Sequence, residues 1–183
     1  VGTSTGGPAA LHRLLVDLPR DFPAPILVVQ HMAAGFVAGL AAWLAANCAL
    51  RVAVARDGEP LEGGAVYLAP DGHHLGVSAD GRVALAATPP VGGFRPSADA
   101  LFASCARAFG ARTTALILTG MGRDGVEGLR AVHAAGGRVL AQDEASSVVY
   151  GMNQEAVRAG VVDEILPLER LGGRLLQLAG GAA

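Results

Sequence analysis

Residues 114–120 read TALILTG, and residues 25–30 read PILVVQ. Each is a short apolar run, free of charge and closed by a polar or turn residue. Such runs are too short for a typical helix and lack the alternation of a half-buried strand. They read as strands covered on both faces, the pattern of a parallel sheet between helices. Working outward, apolar stretches of the same kind stand at 52–55 (VAVA), 65–70 (AVYLAP), 138–142 and 161–166. Val1 reads as the end of a further strand. Helical periodicity falls between them: after Pro8 in AALHRLLVDL, and at 35–47, 97–110, 124–135, 152–159 and 167–179. Proline in the first turn suits a helix start. HLGVS (74–78) and RVALA (82–86) flank Asp80-Gly81 and read as a hairpin. Strands alternating with helices give an α/β class: a doubly wound, mostly parallel, Rossmann-like three-layer sheet with helices on both faces and an antiparallel edge or hairpin. No internal repeat or Pro/Gly/Ser-rich linker divides the chain, so residues 1–183 read as one domain.

Composition narrows the function classes. Lys+Arg number 14 and Asp+Glu 16, a net charge of −2, with no basic block to bind nucleic acid or an anionic membrane. No basic start followed by a long apolar core marks a signal peptide. Residues 33–50, AAGFVAGLAAWLAANCAL, carry no charge, yet they are rich in alanine. Phe36, Val37, Leu40, Trp43 and Leu44 fall on one helical face, as in a helix packed on a sheet rather than one facing lipid. Cys48 and Cys105 lie in apolar helical runs without metal-ligand spacing and read as two buried free thiols, with a disulfide between them left open. A cytoplasmic protein follows as the expectation. The start at Val1, with no initiator methionine, reads as a domain taken from a longer chain.

In open α/β sheets, sites form beyond the carboxyl ends of the strands. Three loops there carry useful chemistry: Ser4 in GTSTGGP, His31 in QHM and Asp124 in TGMGRDG. A serine hydroxyl is a weak nucleophile at neutral pH. A histidine can take its proton during attack, and a carboxylate on the other ring nitrogen sets the tautomer. The glycines around Ser4 suit a tight strand-to-helix turn, and those of TGMG suit backbone N–H groups aimed at an oxyanion. Bland readings stand beside these. Ser4 is equally placed to cap the next helix or to hold a phosphate there, His31 to be a structural histidine, and Asp124 to cap residues 125–135. The stretch GTSTGGP lacks G-x-G-x-x-G and the lysine of a phosphate loop. His73-His74 has no metal partner at motif spacing and reads as a rim loop. Arg95 reads as structural or substrate-facing, Ser97 or Asp99 as serving the next helix start, and Gln142-Asp143-Glu144 as cleft lining or a solvated loop. Met121 and Met152 read as packing residues, with the Met121 N–H kept open as a donor.

The segments GTSTGGPAAL, VVQHM, DGEPLEGGAVYLAPDGHHL, RPSADALFASCA, LTGMGRDGVEGL, AQDEASSVVYGM and VVDEILPL, in this order, resemble the catalytic domain of the CheB family, the bacterial chemotaxis protein-glutamate methylesterases. The resemblance runs from Val1 to about Leu171. It implies Ser4 as nucleophile, His31 as base and Asp124 as the orienting carboxylate. It also implies an oxyanion donor at Met121 and a supporting role for Thr5 in holding the histidine. The implied substrates are γ-glutamyl methyl esters on the cytoplasmic helices of methyl-accepting chemotaxis receptors, with receptor glutamines for some members. No metal or organic cofactor is implied. Family members usually carry an N-terminal receiver domain, which is absent from this chain; a fusion or stand-alone arrangement stays open. Two positions depart from the family: Ala33 where H-M-P is common, and Asn153 where G-M-P is usual. A non-catalytic phosphate, nucleotide or receptor-docking module, and an esterase for another acyl group, stay open as alternatives.

Overall fold

The computed structural model describes residues 1–180. Its elements, in chain order, are β1 (Gly2–Thr3), α1 (Gly7–Val16), β2 (Ile26–Gln30), α2 (Val37–Asn47), β3 (Arg51–Val54) and β4 (Ala65–Leu68). They continue with β5 (His74–Val77), β6 (Val83–Ala86), α3 (Ala98–Phe109), β7 (Thr114–Ile117), α4 (Val126–Ala134), β8 (Arg138–Gln142), α5 (Met152–Arg158), β9 (Glu164–Leu166) and α6 (Leu168–Gly180). Seven strands form one sheet in the order β3-β4-β2-β1-β7-β8-β9. Every pairing in it is parallel.

The apolar runs are continuous because each strand feeds two cores. Alternate side chains point to opposite faces of a sheet. Leu27, Val29, Ala115, Ile117, Val139 and Ala141 face one apolar layer with Leu101, Phe102 and Leu129 of α3 and α4. Ile26, Val28, Leu116, Leu118 and Leu140 face the other, with Leu11, Leu14, Leu40, Leu44 and Leu171 of α1, α2 and α6. A leucine buried as fully as Leu11 or Leu44 contributes roughly 1.5–3 kcal/mol relative to leaving it in water.

Two expectations need correction. The hairpin β5-β6 is not an edge of the main sheet but a separate two-stranded sheet. It packs on α3, where Gly76 lies close under Ser104 and the Ser104 hydroxyl accepts the Val77 N–H at 3.1 Å. The second concerns α2, whose buried residues are Val37, Leu40, Ala41 and Leu44. Phe36 precedes the first turn and is 64% exposed, while Trp43 is 43% exposed and lies beside the His12 ring at 5.0 Å. The helix begins two residues later than expected, which turns Phe36 out of the stripe. No helix among the described residues is long and apolar enough to cross a membrane. Cys105 is buried and Cys48 half-buried, and both are free thiols.

The chain order reverses about β1. From β1 the sheet grows through β2, β4 and β3 on one side and through β7, β8 and β9 on the other. Such a switch point opens a crevice at the strands' carboxyl ends. The three loops singled out by sequence leave β1, β2 and β7, three neighbouring strands.

Candidate active site

Register sets the site. Thr3 pairs with Gln30 and Gly2 with Ile117. Ser4 and His31 are therefore the first residues beyond one paired rung of adjacent strands. The Ser4 N–H donates to Thr119 O at 3.0 Å, and the His31 N–H donates to Thr3 O at 2.9 Å. Gln30 links the two residues again, its Nε2 donating to Ser4 O at 2.8 Å and to His31 O at 2.7 Å. The Gln30 side chain is buried, and its Oε1 has no partner among the described residues. It lies against Gly7, where a Cβ would collide with it. A glycine there admits this close approach.

Asp124 is 5% exposed and accepts four hydrogen bonds. His31 Nε2 lies 2.8 Å from Oδ2, which also accepts the Ala98 N–H at 2.7 Å. Oδ1 accepts the Ser97 hydroxyl at 2.7 Å and the Asp99 N–H at 3.1 Å. Burial opposes the charge, but the donors from His31, Ser97, Ala98 and Asp99 outweigh it and hold the carboxyl below its usual range. An ionised Asp124 makes His31 Nε2 the donor of their bond, which fixes the tautomer. The ring's other nitrogen, Nδ1, is buried and without a partner among the described residues.

The capping roles weighed for Ser4 and Asp124 are not the ones they take. Gly6, not Ser4, caps α1, and no side chain caps that helix. Gly125, not Asp124, caps α4. Asp124 instead meets the N-terminus of α3, where Ser97 is the cap. Asp99 accepts the Gly128 N–H at 2.8 Å and bridges α3 to α4. Burial pushes the Asp99 carboxyl up, with the neighbouring charge of Asp124 adding to it against that hydrogen bond.

The glycine loop after β7 passes close to Ser4. A Cβ on Gly120 would lie 2.7 Å from Ser4 Cβ and would also strike Met152 Sδ. Gly120 O accepts the N–H groups of Gly151 and Met152 at 3.1 and 2.9 Å, which pins the loop. Met121 is 68% exposed, and its N–H donates to no backbone acceptor among the described residues. Thr5 does not hold the histidine here. It is exposed, and among the described residues it enters the bonding only through its carbonyl, which accepts the Thr119 hydroxyl at 2.9 Å. That tertiary bond turns the Thr5 peptide toward β7, and Gln30 and Asp124 secure His31 instead.

Three residues with open readings are settled by burial. Gln142 is fully buried and accepts the Thr119 N–H at 2.9 Å. Asn153, the departure from G-M-P, is also fully buried and donates to Gln142 O at 2.7 Å. It braces the floor of the same loop, while Ala33 is exposed. His74 is buried at the start of β5, and its Nε2 bonds Pro89 O at 3.1 Å. No group of metal-ligating side chains occurs among the described residues.

Sequence reasoning missed Gln30 as a link between strand ends, and it missed Phe94. The Phe94 ring is stacked on His31 with centroids 4.2 Å apart and planes 4° from parallel. The one local signal was VGGF at 91–94, since paired glycines mark a tight turn. Nothing local says what that turn faces.

The fold and the site together define a three-layer α/β protein with a hydroxyl, an oriented imidazole and a buried carboxylate gathered at a sheet switch point. Such a set can carry out nucleophilic acyl transfer. The chain belongs to the CheB methylesterase family, whose description matches residues 1–175. It is 58% identical over 175 residues to protein-glutamate methylesterase/protein-glutamine glutaminase 4 of Myxococcus xanthus strain DK1622, covering 96% of this chain and 50% of that protein. It is 52% identical over 181 residues to the protein-glutamate methylesterase/protein-glutamine glutaminase of the group 3 operon of Rhizobium meliloti, covering 99% of this chain and 51% of that one. The chain spans about half the length of these curated relatives. The crystal structure of the Thermotoga maritima CheB methylesterase catalytic domain superposes with a TM-score of 0.94 at 40% identity, over 97% of this chain and 95% of that one.

Proposed function

We propose that the chain is a single catalytic domain of a serine hydrolase that removes methyl esters from glutamate side chains of chemotaxis receptors. Ser4 Oγ attacks the ester carbonyl, and His31 Nδ1 takes the hydroxyl proton. Asp124 balances the imidazolium from the far side of the ring. The Met121 N–H, at an exposed bend beside Ser4, serves the oxyanion. His31 then returns the proton to departing methanol, and water resolves the acyl-enzyme by the same route in reverse, leaving glutamate. A receptor glutamine offers the same acyl group with ammonia as leaving group, so deamidation at this site needs no further residue. The substrate helices of such receptors lie in the cytoplasm, and on this reading the domain acts there.

The observation that carries this reading is the His31–Asp124 pair. Its geometry orients one ring nitrogen by a buried charge and leaves the other without a partner among the described residues, at the strand end next to Ser4. A phosphate-binding or docking role uses none of this. The test is methanol release from a methylated cytoplasmic receptor fragment, comparing the parent with Ser4→Ala. Release that disappears in the variant, with unchanged circular dichroism, supports nucleophile and reaction together. Turnover that survives Ser4→Ala removes the nucleophile.

A further inference from the structure

His31 is fixed along one line by its bond to Asp124, but a single hydrogen bond leaves the ring free to rock about that axis. The plane is set by Phe94, whose face covers the imidazole at 4.2 Å and 4°. Phe94 is itself held. Val91 and Phe94 exchange N–H···O bonds of 3.0 Å across a turn in which Gly92 and Gly93 have φ of 58° and 90°. That left-handed backbone favours glycine. Behind the turn, Arg95 Nη1 bonds the carbonyls of Ala87 and Thr88 at 3.3 and 3.1 Å, and His74 bonds Pro89. The strap of residues 87–95 is thereby tied at both ends, with its aromatic ring over the imidazole.

We propose that Phe94 is a positioning residue of the esterase reaction, acting through His31. Its stacked ring holds the imidazole plane for proton transfer and stabilises the imidazolium that forms during attack. The physical basis is the aromatic face, whose negative quadrupole attracts a cation more strongly where water is displaced. The His31 side chain is only 9% exposed. The stabilisation arises when the proton arrives and is smaller before it, so it raises turnover rather than binding. The proposal rests on the reading of Ser4, His31 and Asp124 as a catalytic set.

The test compares the parent with Phe94→Leu, Phe94→Tyr and Ser4→Ala, using methanol release from the methylated receptor fragment. Phe94→Leu is expected to lower kcat about tenfold with KM unchanged, and Phe94→Tyr, which keeps the ring face, to restore it. His31 ring-proton resonances, assigned by their loss in His31→Ala, move downfield in Phe94→Leu as the ring current goes, and stay in place in Phe94→Tyr. Thermal melting checks that each variant folds. Parental kcat in Phe94→Leu, a defect confined to KM, or no rescue by Phe94→Tyr overturns the role of Phe94 while an inactive Ser4→Ala leaves the esterase reading standing. A fully active Ser4→Ala overturns that reading instead, and the role of Phe94 with it.

Discussion

Replacing Asp124 by asparagine separates a catalytic carboxylate from a structural one. Both oxygens of Asp124 accept two bonds, and each pair includes a backbone N–H that cannot reverse: Ala98 at Oδ2 and Asp99 at Oδ1. An asparagine must set its NH₂ against one of them. With the NH₂ on the Oδ2 side, it also confronts His31 Nε2 and forces the other tautomer. On the Oδ1 side, the tautomer survives, but the negative charge opposite the imidazolium is gone. Either way kcat should fall by about 10⁴, the cost of the equivalent change in a serine protease, or about 5.4 kcal/mol in barrier height. Losing one bond to a charged acceptor should also cost about 2 kcal/mol of stability, or about 4–8 °C in Tm. The acid dependence follows from the sign of the shift. The folded carboxyl lies below its ordinary value near 3.8, so its stabilisation is complete above that value and is lost as pH falls through the lower folded one. The Tm gap between parent and Asp124→Asn should therefore be constant at neutral pH and narrow below about pH 4. The assays are initial rates of methanol release and melting curves across pH. A variant with a lowered Tm but kcat within about tenfold of the parent would refute the catalytic role. Asp124 would then be only the anchor of α3.

Two further substitutions probe how the site is held. Gln30→Leu removes the amide that bonds both Ser4 O and His31 O; it should cost about 1–3 kcal/mol in stability and lower kcat more than it raises KM, as read by melting and steady-state rates. Gly120→Ala places a methyl 2.7 Å from Ser4 Cβ; it should reduce kcat on the receptor fragment about 10²-fold by displacing the nucleophile while receptor binding, followed by calorimetry, is retained.

The layered sheet was legible because its signal is local. TALI and ILVV are apolar at every position, and burial on both faces is the only environment that suits them. Phe36 and Trp43 misled because large apolar residues at helical spacing were assigned to one stripe. Val37, Leu40, Ala41 and Leu44 fill the contact of α2 with the core, so the larger side chains stand outside it. The hairpin was legible from Asp80-Gly81, but its packing partner was not, since Gly76 fits α3 only through the tertiary position of Ser104.

The same division runs through the site. Ser4, His31 and Asp124 could be picked out because each has its own chemistry and each lies in a loop that leaves the carboxyl end of a strand. Their supports could not, for a physical reason. Gln30 sits inside a strand run, where a glutamine reads as a terminator, and its link to Ser4 exists only because β1 and β2 pair in the register Thr3↔Gln30. A slip of one residue would reverse the faces along β2, carrying the Gln30 amide away from the Ser4 carbonyl and His31 away from the carboxylate of β7's loop. Phe94 meets His31 across 63 residues, through a turn whose own sequence specifies only its tightness. The proposed acyl-transfer chemistry thus depends on residues that local pattern names, and the precision with which they meet depends on strand register and one strap that it does not. Substitutions at Gln30 and Phe94 should accordingly spare the fold's layered core and fall on turnover.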